Sequence, residues 1–333
     1  MSQVAGILQR ATANKLDRLN ILTYPTHERY QSNLAQTNCD YFLFQGQGIK
    51  SWEYKYAKLP KNHTLLNPQH GENQLPDYIT PHIVFSQNKL AHYNISAKLA
   101  NKYRCPLVNL EHCTLWPGIT QKQIEQLYGM QGDINVFISD YSRRAWGYTE
   151  KNSVVVEHGI DSNIFKPQEV EKEWDILVVA NDFVNRNDLL GWQEFCYITG
   201  YPNSPYKIKI VGSNPGISEP ASSVQELVSF YNKSKIFLCS AKHSPIPYSL
   251  IEALSCSCAC VCYEQAMVSQ TISHATNGMM SNNIDDLKNY CKELLMDEDM
   301  RLELGKSARI LAKTRFDLNR FISQWEQIFR SVI

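Results

Sequence analysis

Two successive doubly wound α/β domains are the fold this sequence predicts, and three observations predict it. Short apolar runs recur along the whole chain with helical or polar segments between them. Those runs are apolar on both faces, the pattern of a largely parallel sheet covered by helices. At 333 residues the chain is long for one open sheet and comfortable for two domains.

The first series of strands is expected at 20–24, 41–44, 63–66, 82–85, 106–110, 135–139 and 153–157. A second series follows at 175–180, 207–211, 235–239 and 259–262, with helical patterns at 224–232, 285–296 and 300–314. Residues 1–17 read as an amphipathic helix, with Ile7, Leu8, Ala11 and Leu16 partly on one face. The domain boundary is expected near 161–173, where Pro167 is followed by the charged run EVEKE. This gives a first domain over 1–165, a second over 166–315, and a closing segment over 316–333. That segment puts Phe321, Trp325, Ile328 and Phe329 on one helical face, with Asp317 as N-cap.

Composition narrows the class. A hydrophobic content of 43% and 20% charged residues fit a globular protein with an ample core. No stretch approaches the roughly 20 apolar residues that a membrane span needs. The start lacks a basic segment followed by an apolar one, so no signal peptide is expected there. Ten cysteines without framework spacing point to free thiols in a reducing cytoplasm. The zero net charge divides unevenly: through Pro167 there are 17 Lys/Arg against 13 Asp/Glu, and afterwards 16 against 20. A basic excess of this size is as readily an uneven solvated surface as a docking face for an anion.

Two stretches carry the chemistry. HGIDSNIFKP at 158–167 follows an expected buried strand, turns at Gly159 and stops at Pro167. SPIPYSLIEAL at 244–254 sets a proline-stiffened turn directly before an apolar helix with one carboxylate, Glu252. A helix N-terminus offers unpaired N–H groups and a positive dipole end, which suits a phosphate. A carboxylate one turn further in suits ribose hydroxyls. Together the two stretches point to a nucleotide-sugar site.

These motifs resemble the GT-B glycosyltransferases, in particular the retaining family 4 group (glycosyl transferases group 1). That group has an Asn-Gly-Val-Asp-x-x-x-Phe-x-Pro element, matched by 158–167, and a Glu-x7-Glu motif, matched by Ser244 and Glu252. NGMM at 277–280 is similar to its Asn-Gly-Leu-Leu turn, and RLELGKSAR at 301–309 with RFDL at 315–318 to its closing helices. The resemblance covers 150–333 and is looser before that, where only VNLEH at 108–112 and NVFIS at 135–139 fit. It implies two Rossmann-like domains facing a cleft, donor on the second and acceptor on the first. It also implies a closing helix that crosses back to the first domain, no metal, and no cofactor beyond a nucleotide-sugar substrate, a UDP-sugar above all.

The resemblance also assigns roles. Glu252 would hold the ribose, Arg186 would contact the diphosphate, and His112 at a strand end would bond the donor sugar; these three are the expected catalytic set. Asn181, Gly212, Ser244, Tyr248 and Ser249 complete the donor side. Ser244 stands where the group has a sugar-binding Glu, and Asn181 where it has a second basic residue. The loop TYPTHERY at 23–30 stands where the group has a glycine-rich loop that approaches the donor phosphates, so any such contact here is through the side chains of His27, Glu28 and Arg29. The same three residues read equally as an acceptor-specific loop, placing them on the acceptor side, or as a polar helix start. Glu111 is a second candidate beside His112.

Three other features have bland readings. Lys50, Lys55, Lys58 and Lys61 interleave with Trp52, Tyr54 and Tyr56, either as a patch for phosphates and bases or as solvated lysines on a half-buried edge. CSCACVC at 256–262 alternates with period two, so all four thiols would share one side if the run is a strand; small, buried packing residues explain it better than a metal site. Asp297 to Asp299 lie at a helix junction and read as surface. The expected function is metal-independent, retaining transfer of a hexose or pentose from a UDP-sugar to a glycan or lipid-linked glycan. Alternatives are a glycosyltransferase acting on a hydroxymethylated base in DNA and a non-catalytic sugar-nucleotide-binding protein.

Overall fold

The structure, a computed structural model, describes residues 18–46 and 48–333. The helix expected over 1–17 lies outside the described residues. The chain divides into two compact units, residues 1–157 with 319–333 and residues 158–318.

The first unit is built on β1 (Leu19–Thr23), α1 (Glu28–Leu34), β2 (Cys39–Leu43), β3 (His63–Leu65), β4 (Ile83–Ser86), α2 (Lys89–Tyr103), β5 (Leu107–Glu111), α3 (Gln121–Tyr128), β6 (Ile134–Phe137), α4 (Asp140–Ala145) and β7 (Val154–Val155). Its seven strands are all parallel in the order β3-β2-β1-β4-β5-β6-β7. Strand order reverses between β1 and β4, so the loops that leave these two strands diverge and open a crevice at their carboxyl ends. Leu22, Val84, Leu99 and Leu107 form one core beside the sheet, and Leu127, Phe137, Trp146 and Tyr148 another. β7 is shorter than the expected 153–157, and Val154 is 38% exposed rather than buried. As the edge strand it is covered on one side only.

The second unit holds β8 (Trp174–Val179), α5 (Asn187–Leu190), α6 (Trp192–Thr199), β9 (Ile208–Val211), α7 (Val224–Lys233), β10 (Ser234–Cys239), α8 (Tyr248–Ser255), β11 (Ala259–Tyr263), α9 (Ala266–Ser269), β12 (Met279–Ser281), α10 (Ile284–Met296) and α11 (Glu298–Arg315). Its five parallel strands run β12-β11-β10-β8-β9, which places the switch point between β8 and β10. Ile176, Val178, Leu238 and Val261 pack against Phe195, Leu287, Leu294 and Leu304.

The last helix, α12 (Leu318–Ser331), carries Trp325 and Phe329 onto Phe85, with ring centroids 5.0 and 5.5 Å apart, and Glu326 accepts from Asn38 N–H at 2.8 Å. These contacts make 319–333 part of the first unit.

Two sequence readings need correction. The division falls after Glu157 rather than at 165, because residues 158–168 are stitched into the second unit. Arg309 donates to Ser162 O and Phe165 O, Ser255 Oγ to Phe165 O, and Asn232 Nδ2 to Lys166 O. Within NGMM, only Asn277 and Gly278 lie in the turn; Met279 and Met280 pair with β11 as β12. All four cysteines at 256–262 are buried, as packing residues would be, and the strand holds Cys260 and Cys262. Asp297 caps α11, accepting from Met300 N–H at 2.8 Å.

Candidate functional site: the carboxyl ends of the two sheets

In the second unit, three loops meet at the switch point. The first leaves β8 through Asn181 and Arg186, the second leaves β9 through Gly212, and the third leaves β10 through Ser244. Asn181 Oδ1 accepts from Ser213 N–H at 2.8 Å, and Asp182 N–H donates to Ser213 O at 2.9 Å. On the other side, the N–H groups of Lys242 and His243 donate to Leu189 O, and Ser240 Oγ to Leu190 O. The β8 loop is thereby fixed between its two neighbours.

Gly212 has φ +140°, and a Cβ there would lie 1.9 Å from Ala180 O. Its role is close backbone approach rather than contact through a side chain. Arg186 is exposed at the start of α5 and, among the described residues, has no ion pair or side-chain hydrogen bond. It is a fixed-position cation with its fork unspent. Lys242, in contrast, is tied to Glu194 Oε1 at 2.7 Å.

Helix α8 starts at Tyr248, within the expected 244–254 stretch. Pro247 stands at its N-cap and supplies no side-chain cap, so the first-turn N–H groups are not closed by a side chain at that end. The Tyr248 hydroxyl donates to Gly159 O at 3.1 Å, and its ring lies 4.5 Å from that of His158. The two motif stretches, 158–167 and 244–254, therefore meet at this helix start. Ser244 is half-buried, with its carbonyl held by Gln265 Nε2 at 2.7 Å.

Glu252 is fully buried one turn into α8, and its Oε2 accepts from the Tyr231 hydroxyl at 2.8 Å. A buried carboxylate needs such a donor. Tyr231 is a site residue that sequence reasoning missed. The spacing of Val224, Leu227, Val228 and Tyr231 does place its ring on the inner face of α7, but no local signal names its partner 21 positions on.

In the first unit, β5 ends in Glu111 and His112 follows it. His112 packs edge-on against Tyr30, with ring centroids 4.5 Å apart at 89°, and lies 6.3 Å from the ring of His27. His27 caps α1, its Nδ1 accepting from Tyr30 N–H at 3.3 Å. So His27 and His112 are brought together at the carboxyl end of the first sheet.

Glu28 is not on an acceptor surface. It is buried, pairs with Lys50 Nζ at 2.7 Å and accepts from Glu53 N–H at 3.1 Å, because the His27 cap turns the first residue of α1 inward. Arg29 is half-buried beside it. Lys50 and Lys55 are both paired with Glu53, at 3.5 and 2.9 Å, and both lie over the Tyr56 ring. This engages two of the four lysines counted toward a nucleic-acid patch. Among the described residues no group of three or more His, Cys, Asp and Glu is placed to hold a metal ion, and no helix is long and apolar enough to cross a membrane.

Fold and site define a protein of GT-B architecture, two parallel α/β units with the polar loops gathered at the strand ends. Solved structures of that architecture match nearly the whole chain. The Anabaena protein HepE, determined with UDP and glucose, is 12% identical over 94% of this chain and 99% of its own, with a TM-score of 0.72. Sucrose-phosphate synthase from Thermosynechococcus elongatus is 11% identical over 94% and 99%, with a TM-score of 0.70. A glycosyltransferase from Rickettsia africae is 16% identical over 95% and 99%, with a TM-score of 0.67. At such identities the likeness establishes the fold alone. In sequence, residues 220–311 match the family described as glycosyl transferases group 1, a stretch that runs from α7 through Ser244 and Glu252 into α11. No curated protein sequence matches the chain.

Proposed function

We propose that this protein is a glycosyltransferase that takes a sugar from a nucleoside diphosphate, a UDP-sugar, and transfers it with retention and without a metal. The observation that carries the reading is the switch point of the second sheet. There an unpaired arginine, a glycine-tight turn and a helix N-terminus without a side-chain cap stand over a buried carboxylate. Helix N–H groups and Arg186 receive the diphosphate and hold the negative charge that grows on it as the sugar departs. Glu252 receives the ribose hydroxyls. The match of 220–311 to glycosyl transferases group 1, and the UDP and glucose found with HepE, support the same donor class.

In the proposed transfer, the bond between the sugar's anomeric carbon and the leaving phosphate oxygen breaks. A bond from the acceptor oxygen forms on the same face, and the acceptor proton passes to the leaving phosphate. His112 orients the sugar, and the acceptor is a glycan or lipid-linked glycan.

The test is calorimetric titration with UDP, UDP-glucose and other nucleotide sugars in the presence of a chelator. Wild type is expected to bind one donor. Glu252→Ala and Arg186→Ala should each weaken it by roughly tenfold to a hundredfold, the worth of one hydrogen bond to a charged group. Unchanged affinity in both variants would remove the site assignment, and a wild type that binds no donor would remove the function. The anomeric proton coupling of the product, read by NMR, decides retention.

A further inference from the structure

The first unit contains a buried pair of ionisable groups that the proposed transfer does not use. Glu111, the last residue of β5, is 2% exposed, and Lys89, the first of α2, is 2% exposed. Glu111 Oε2 accepts from Lys89 N–H at 3.1 Å, and Oε1 accepts from Cys113 N–H at 2.9 Å. The carboxylate therefore joins the start of a 15-residue helix to the residue just beyond His112. The helix dipole favours a negative charge at that point. The amine of Lys89 turns away, to Leu127 O at 3.3 Å and to the Tyr148 hydroxyl, with the Tyr148 ring 4.4 Å from it.

His112 is thus held from two sides. Its backbone lies between the two ends of the Glu111 clamp, and its ring rests on Tyr30. Tyr30 is itself fixed, since its hydroxyl accepts from Trp325 Nε1 at 2.9 Å and both residues are fully buried. Nothing in this arrangement brings Glu111 to a ligand; it acts on the turn that carries His112.

We propose that Glu111 is a positioning residue for His112: its ionised carboxylate holds the 111–113 turn so that the imidazole meets the donor sugar. This rests on the transferase reading above. A protonated carboxyl accepts less strongly and presents an O–H toward one of the two N–H groups, so the clamp loosens. Burial, against the pull of the Cys113 and Lys89 N–H groups and the Lys89 charge, lifts the Glu111 carboxyl to about 6. The other titratable groups around it are Lys89, which burial lowers to about 8, Tyr148 beyond that amine, and His112 and Cys113 in its own turn. Lys89 stays charged through the range in which Glu111 titrates.

The experiment compares wild type with Glu111→Gln, which keeps the shape and one acceptor but turns an NH2 toward an N–H. With the donor identified by titration, kcat of wild type should fall on the acid side with a midpoint near 6. Glu111→Gln should lack that limb. Its kcat should drop by roughly tenfold to a hundredfold, the cost of ångström-scale misplacement, while donor KM stays nearly unchanged. A flat wild-type profile, or a variant that keeps both kcat and the acid limb, overturns the proposal.

A second arm needs no activity. In 15N-labelled protein, the backbone amide signals of Lys89 and Cys113, the two N–H groups that donate to the carboxylate, should shift with an inflection near 6 that is absent from Glu111→Gln. Signals without that inflection in wild type overturn the proposal even if the variant does not fold. Should wild type bind no donor, the transferase reading fails while this arm still decides whether the ionised Glu111 carboxylate clamps the 111–113 turn.

Discussion

Replacing Gly212 by alanine tests the switch-point geometry with a magnitude worked from distances. The new Cβ would lie 1.9 Å from Ala180 O and 2.7 Å from Ala180 C, both backbone atoms at the end of β8. A contact to oxygen needs more than 3 Å, so one loop must retreat by over an ångström. Retreat is opposed by the bonds that lock the two loops: Asn214 Nδ2 to Ala180 O at 2.8 Å, Ser213 N–H to Asn181 Oδ1 at 2.8 Å and Phe183 N–H to Asn214 Oδ1 at 2.7 Å. Overpacking of this kind costs about 1–3 kcal/mol, and the backbone angle adds about 1–2 kcal/mol for a residue with a side chain. Gly216 supplies the control. It also has positive φ, +77°, but nothing lies within 4 Å of its Cβ position, so Gly216→Ala carries the angular cost alone. Urea unfolding followed by tryptophan fluorescence should place Gly212→Ala about 2–5 kcal/mol below wild type and Gly216→Ala about 1–2 kcal/mol below. Donor affinity should fall in the first and hold in the second, because only the first displaces the loop that carries Arg186. Equal losses in the two variants would refute the close-approach argument.

Two further outcomes follow from the buried groups. Tyr231→Phe removes the hydroxyl that donates to Glu252 and should cost about 1–3 kcal/mol in urea unfolding; donor affinity should suffer less than in Glu252→Ala, since the carboxylate itself remains. The Glu111 carboxyl sits at about 6 in the folded protein against an ordinary 4.5, so its contribution to stability is greatest below 4.5 and is lost as pH rises through 6. Against Glu111→Gln, wild type should therefore lose about 2 kcal/mol between pH 4.5 and 7, a slope opposite in sign to that of its activity; urea unfolding of both proteins at the two pH values measures it.

Much of the fold is legible in the sequence because strands buried on both faces read as unbroken apolar runs. Ile176 to Val179 and Ile236 to Cys239 show this in the second sheet. β12 is not legible: three residues after an Asn-Gly turn carry no period, and only pairing with β11 makes them a strand. The site divides in the same way. Glu252 stands out as one carboxylate in an apolar helix, and Gly212 follows directly on a strand. Tyr231 and Lys89 do not stand out, because their meanings come from partners delivered by crossover connections. Of the readings open for 27–29, the polar helix start is the one the structure shows for Glu28: His27 caps the helix and turns Glu28 toward Lys50.

The two departures from the resembled motif bear on each other. Against that motif, Ser244 would remove a negative charge from the sugar side of the proposed donor site, and Asn181 a positive one from the phosphate side. Asn181 keeps a mechanical task, since its carbonyl holds Ser213 and with it the turn at Gly212. Lys242 lies close in the chain to Ser244, but its charge is spent on Glu194. In the proposed site, neutralising a diphosphate then falls to Arg186 and the N-terminal N–H groups of α8. Backbone groups carry only about half an elementary charge at a helix start, so the arginine supplies most of the field. Its planar fork suits the task better than a lysine's point charge, because one side chain can bond two phosphate oxygens at once. A site reduced to one cation in this way needs its loop held rigidly, and the bonds from Leu189, Leu190 and Asp182 to the neighbouring loops provide that.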